Sequence, residues 1–160
     1  MSEALTFLSA LKALVGKLPA WAVRRWYPGE RLADLLYVDL SPRHESIWMN
    51  FGSAPEIRVA LQLINLSPFP CEIEQGRLAL QCGGVSIGLN LLKRVKLAPA
   101  EVGGIYLVES LSDGQAKTIR MNWGSSSTSL SGSIEVGSSV NRFTKNLQGM
   151  SGIHIHSANL

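Results

Sequence analysis

Residues 57–90, IRVALQLINLSPFPCEIEQGRLALQCGGVSIGLN, restrict the folds open to this chain more than any other stretch. Ile57, Val59, Leu61 and Leu63 alternate with Arg58, Ala60, Gln62 and Ile64, which is the two-residue period of a half-exposed strand. Ser67-Pro68-Phe69-Pro70 breaks the run, because proline cannot donate to a central ladder. Residues 71–81 and 85–92 resume as strands on either side of Cys82-Gly83-Gly84. Paired glycines supply the positive φ that a tight hairpin needs. The arrangement predicts an antiparallel sandwich.

The rest of the chain beyond residue 34 extends that pattern. Residues 35–40 form a strand candidate closed by Ser41-Pro42, and Ile47, Met49 and Phe51 alternate in the next run before Gly52. Residues 97–101 suit a loop or an edge. Residues 104–109, 116–123, 129–136 and 152–157 read as later strands, with Ser112-Asp113-Gly114 as a turn between the first two. Eight or nine short strands separated by Gly, Ser and Pro indicate a sandwich or barrel, not βαβ units. At 160 residues the chain has room for one ordinary domain, and 46% hydrophobic against 17% charged residues exclude a disordered chain. The expected organisation is an all-β domain over residues 35–160, preceded by an attachment segment over 1–34.

Several of these residues also carry a family likeness. Val59-Ala-Leu-Gln-Leu-Ile-Asn65, followed by Ser67-Pro68-Phe69-Pro70 and Ile73, resembles the strand and corner of the LEA14-like, water-stress and hypersensitive-response (WHy) domain family. Gly83-Gly84-Val85-Ser86-Ile87-Gly88 and Leu130-Ser-Gly-Ser-Ile-Glu-Val136 resemble that family's hairpin and late strand. The similarity spans residues 46–155, with Leu66-Ser67 standing before Pro68 where the family has an Asn-Pro pairing. The resemblance implies an immunoglobulin-like antiparallel β-sandwich of seven or so strands without an active site. It also implies a binding or stress-protective role, often beside a membrane anchor or helix. Apart from the family, Asn65 is placed to cap the strand end through its side chain. Asn65-Leu66-Ser67 also matches a glycosylation acceptor, which the following Pro68 makes a chance match.

The first thirty residues differ in composition. At about 100° per residue, Phe7, Leu8, Leu11, Leu14, Val15 and Leu18 share one arc of roughly 120°, with Lys12 and Lys17 on the other side. An N-terminal amphipathic helix over residues 3–18 follows, ended or kinked by Pro19. A transmembrane span needs about 20 apolar residues, which Lys12, Lys17 and Pro19 interrupt. A secretory signal lacks its positive start here, although Ala20-Trp21-Ala22 mimics a cleavage site. Trp21, Arg24, Arg25 and Trp26 follow the helix, and such residues favour the boundary between water and acidic lipid. These ten residues, Phe7 to Trp26, are therefore the candidate binding set. Their partner is either a membrane surface or another protein that offers a groove, with homo- or hetero-oligomers open.

Catalytic motifs are not evident. The sequence has no phosphate loop, no G-x-S-x-G elbow and no zincin helix. His154 and His156 on one strand would lie about 6.6 Å apart and could chelate a metal if a third ligand such as His44 or an acidic residue converged, but two polar residues on a solvent face is the simpler reading. Glu72 and Glu74 share a face without an obvious acid–base task. Fifteen basic against twelve acidic residues leave only +3, and neither Arg24-Arg25 nor Lys93-Arg94-Val95-Lys96 is interleaved with enough aromatics for a single-strand nucleic-acid groove. Cys71 and Cys82, about 36 Å apart on one extended strand, are beyond disulfide reach. The expectation is a non-enzyme with neither cofactor nor metal.

Overall fold

The computed structural model describes residues 19–42, 45–91, 93–124, 127–151 and 153–158. Two five-stranded sheets pack face to face. The first holds β1 (Leu36–Leu40), β2 (Ile47–Asn50), β3 (Glu56–Asn65), β7 (Val102–Ser110) and β10 (His156–Ala158). The second holds β4 (Cys71–Cys82), β5 (Val85–Leu91), β6 (Val95–Leu97), β8 (Ser129–Ser138) and β9 (Arg142–Ser151). Among the described residues, three helices accompany them: α1 (Ala20–Trp26), α2 (Gly29–Asp34) and α3 (Asp113–Met121).

Each sheet is built on one long strand. In the first, β1 and β2 take successive stretches of β3, with Ser41 N donating to Ala60 O and Ala60 N donating to Ser46 O where one hands over to the other. β7 pairs with β3 from Glu56 to Ile64. In the second, β5 and β6 divide β4 in the same manner, and β8 then β9 follow. Ile47, Met49, Ile57, Leu61 and Leu63 face Ile73, Leu80, Leu89, Leu130 and Ile134 across the interior. Each such side chain contributes about 1.5–3 kcal/mol relative to exposure, so this layer holds the sheets together.

Two expectations of the sequence need correction. Residues 116–123 do not form a strand; α3 occupies most of them, and Ser112 is its N-cap, not part of a turn between strands. Ser112 Oγ accepts from Gln115 N, and Gln115 Oε1 accepts from Ser112 N, so the two ends of the first turn satisfy each other. Ala116 and Ile119 are buried, and Ile119 lies over Gly83. At φ +55, a Cβ on Gly83 would stand 2.8 Å from Ile119 Cα, so the hairpin glycine also admits the helix. The sandwich is also not wholly antiparallel. β10 joins β2 in parallel, pairing His156 with Trp48, and within the expected strand at 152–157 residues 153–155 lie outside any strand.

Residues 20–34, expected to belong to an attachment segment, fold onto the domain. Val23, Tyr27 and Leu32 bury with Phe69 in a second small core. Tyr27 meets Phe69 edge-to-face at 5.0 Å, Asn141 Nδ2 donates to Tyr27 O, and Lys145 Nζ donates to Ala33 O. The amphipathic helix over residues 3–18 lies outside the described residues.

Candidate functional site

α1 is short, and its position comes from docking more than from propensity. Pro19 precedes it with φ −64, and Val23 and Tyr27, one turn apart, point into the small core. At about 100° per residue, Trp21 and Arg25 fall on the opposite side. Trp21 is 71% exposed and Trp26 52%, and Arg24 and Arg25 are also exposed. α2 fixes the end of α1: Arg31 Nη1 donates to Trp26 O at 3.0 Å, and its guanidinium lies 5.0 Å from the Tyr27 ring centre. The fold thus holds two tryptophans and two arginines outward on a rigid turn. Phe7, Leu8, Leu11, Leu14, Val15 and Leu18 lie outside the described residues, so the structure brings together only the last four of the ten candidates.

A second surface escaped the sequence reading. The outward residues of the first sheet register in rows, with Tyr37, Ile64 and Val102 side by side, then Ala60 with Tyr106, then Trp48, Arg58 and Val108. Tyr37, Val102, Tyr106 and Val108 are exposed there, and a groove of about 620 Å³ runs between Trp48, Arg58 and Tyr106. The second sheet is different outside, where Ser86, Asn90, Ser131, Ser133, Thr144 and Asn146 predominate. The signal was available in Val102, Tyr106 and Val108, which lie an even number of residues apart. It is invisible until β3 is known to lie beside them.

The polar groups have structural partners. Glu72 and Glu74 line a cavity of about 580 Å³ at one pole, where Arg94 lies 3.7 Å from the first and Arg142 3.3 Å from the second. Such exposed pairs contribute at most about 1 kcal/mol. His154 is exposed ahead of β10, and His156 Nδ1 sits 3.7 Å from Glu45 Oε1. Among the described residues, no group of three or more His, Cys, Asp or Glu side chains is placed to hold a metal ion. No helix among them is long and apolar enough to cross a membrane.

Cys71 and Cys82 are free and buried at the two ends of β4. Burial, and secondarily the Glu101 carboxylate, push the Cys71 thiol up to about 11 from 9.0. Burial also raises Cys82, against a hydrogen bond with Thr128. Between pH 9 and 11 the unfolded Cys71 loses its proton while the folded one keeps it. Its contribution, intact below pH 9, therefore falls by roughly 2–3 kcal/mol across that window. Urea midpoints measured at pH 8.5 and 10.5 should fall further in the parent than in Cys71→Ala. Equal falls would refute the assignment.

No protein-family profile matches the chain, and no curated protein matches it. Solved structures do. A Northeast Structural Genomics Consortium target, SoR45, superposes with a TM-score of 0.52 at 9% identity, covering 74% of this chain and 85% of that one. The putative ApaA protein from Bordetella pertussis gives 0.44 at 9% identity, covering 72% and 87%. At such identity the likeness to the first bears on the fold alone.

Proposed function

We propose that this protein is a non-catalytic, immunoglobulin-like β-sandwich scaffold that adsorbs to a membrane surface through residues 1–26, in the manner of LEA14-like (WHy) domains beside an anchoring helix. The observation that carries the reading is the division of α1 and its C-cap, where Val23 and Tyr27 grip the domain while Trp21 and Arg25 face away from it. An element meant only to seal a core would not keep two tryptophans largely in water. Indole rings partition to the headgroup boundary, and each arginine near an acidic leaflet adds about 1 kcal/mol. The preceding apolar arc, Phe7 to Leu18, would supply the buried area and α1 would fix the domain's tilt. Lys12 and Lys17 on the polar side would meet the headgroups.

The test uses the full-length chain, because removing residues 1–34 would also take Val23, Tyr27 and Leu32 from the small core. On vesicles of phosphatidylcholine and phosphatidylserine, Leu11→Asp/Leu14→Asp is expected to lower partitioning by about a hundredfold, since each charge resists burial by over 1 kcal/mol. Raising salt should weaken the parent's binding as the basic residues lose their attraction. Equal sedimentation of parent and variant would end the membrane reading. A stoichiometric protein complex that persists without lipid would favour the alternative, in which the same segment docks in a partner's groove.

A further inference from the structure

One side of β7 is open. Among the described residues, β3 is the strand paired with it. Two bonds at the ends of that ladder fix its phase: Asn65 N donates to Glu101 O, and Leu111 N donates to Pro55 O. Hydrogen-bonded pairs recur at every second residue of an antiparallel ladder, so Gly103, Ile105, Leu107 and Glu109 direct their backbone groups at β3. The alternate residues of β3 turn the other way in keeping with this, Ala60 bonding with Ser41 and Ser46. The N–H and C=O groups of Gly104, Tyr106 and Val108 therefore point away from β3, and no described residue pairs with them there.

Such an edge accepts a further strand unless it is guarded. β7 has no proline and no positive charge of its own, and its register with β3 is unbroken from Glu56 to Ile64. Positive charge stands instead across a groove. A space of about 500 Å³ lies along this edge over the buried Leu91 and Ile105, with Gly104 and Tyr106 on one side and Lys93, Arg94 and Lys96 on the other. None of its lining residues is acidic. Arg94 has Glu72 at 3.7 Å, an exposed pair that a second carboxylate can replace, and Lys96 also borders the cavity of Glu72 and Glu74. Lys93 has no carboxylate partner among the described residues. Tyr106, 73% exposed, offers an aromatic surface beside these cations.

We propose that an extended acidic peptide binds along β7 as an added strand, its backbone paired with Gly104, Tyr106 and Val108 and its carboxylates set against Lys93, Arg94 and Lys96. In this mode main-chain pairing gives affinity, and alternate side chains give specificity. A peptide of alternating character would lay its apolar side chains over Leu91 and Ile105 and turn its acidic ones to the cations. A second copy of the chain is the weaker occupant, because its own β7 would bring a second set of the same cations to the groove. The site is independent of the adsorption reading above and stands or falls without it.

Amide hydrogen exchange on the full-length chain tests the edge, and a synthetic peptide tests its occupant. In the free protein the amides of Gly104, Tyr106 and Val108 should exchange fast, and those of Gly103, Ile105, Leu107 and Glu109 slowly. Slow exchange of both sets would mean that the edge is already covered, by a second copy or by this chain, and would overturn the proposal. A seven-residue peptide alternating glutamate with valine should slow the first set about tenfold or more, while the same peptide fully N-methylated, or with lysine in place of glutamate, should leave it fast. Lys93→Glu/Lys96→Glu changes two exposed side chains, so Tm should stay the same while affinity for the glutamate peptide, read by fluorescence anisotropy, falls about tenfold. Equal affinity of parent and variant, or equal protection by the N-methylated peptide, would refute strand addition by an acidic partner. Protection by phosphatidylserine vesicles with none by the peptide would assign the edge to lipid instead.

Discussion

Asn65→Ala is expected to cost about 3 kcal/mol of unfolding free energy, because the buried side chain joins backbone groups of two separate turns. Asn65 ends β3 and is 1% exposed. Its Nδ2 lies 2.8 Å from Phe69 O, 3.1 Å from Ala98 O and 3.3 Å from Leu97 O. Its Oδ1 accepts from Ser67 N at 3.1 Å and from Ser67 Oγ at 2.7 Å. One amide therefore ties the crossover from β3 to β4 and the turn after β6. Donors on one side and acceptors on the other leave one orientation for the amide. Alanine would leave Ala98 O, Leu97 O and Ser67 N without this partner inside the fold. Phe69 O would keep the Ser67 hydroxyl. Asn65→Asp should cost more at neutral pH, since an anionic oxygen would replace the donor facing three carbonyls. Urea unfolding at constant m-value reads both. A loss below about 1 kcal/mol for either variant would mean that water substitutes for the side chain. The same burial bars a glycan at this position.

This corner was partly legible in the sequence: the proline break and the capping asparagine stand side by side there. Its reach to Leu97 and Ala98 was not, because those carbonyls arrive from more than thirty residues away. β5 announces itself because it buries one face and keeps its two-residue period, and β3 and β4 keep theirs except at buried Ala60 and at the bulge after Ile73. α3 was misread because Ile119, Met121 and Trp123 mimic alternation. The helical spacing of Ala116 to Ile119 and the Ser112–Gln115 box were the stronger local signals. β9 went unseen because Lys145, Asn146 and Gly149 have weak strand preference. It is held by pairing with β8 and by the contact of Lys145 with Ala33. β10 has three residues and no period, and only the presence of β2 beside it makes it a strand.

The candidate surface divides in the same way. Trp21, Arg24, Arg25 and Trp26 were identifiable as a type of residue cluster, but their outward display depends on Val23 and Tyr27, whose role appears only with Phe69 in place. The outer face of the first sheet needs three strands in register before its apolar rows exist at all. Local pattern thus marks which residues are amphipathic, and non-local pairing decides what they jointly present.

Gly132→Ala is expected to be the most damaging single-methyl addition in the domain, at about 4 kcal/mol. Gly132 sits in β8 at φ +143, a backbone region that other residues rarely adopt. It pairs with Leu78 on one side, and on the other the register to β9 shifts between Leu130 and Gly132. A Cβ there would collide with Arg77 O and stand 2.7 Å from Leu78 Cα, both backbone atoms of the central strand β4. Neither can move without shifting a ladder that runs from Cys71 to Gln81. Strain and collision therefore add. Gly88→Ala provides the contrast on the same sheet. Gly88 has nothing within 4 Å of its Cβ position and no positive φ, so alanine there should be neutral or stabilise by about 0.5 kcal/mol through the unfolded chain. Thermal and urea unfolding should show a large loss of stability for Gly132→Ala and none for Gly88→Ala. Adsorption to vesicles below the midpoint should be the same for both, because neither glycine touches α1 or the outer face of the first sheet. If Gly132→Ala proved as mild as Gly88→Ala, β8 would have to run through this position without its irregularity, and the pairing of β9 would need to be redrawn.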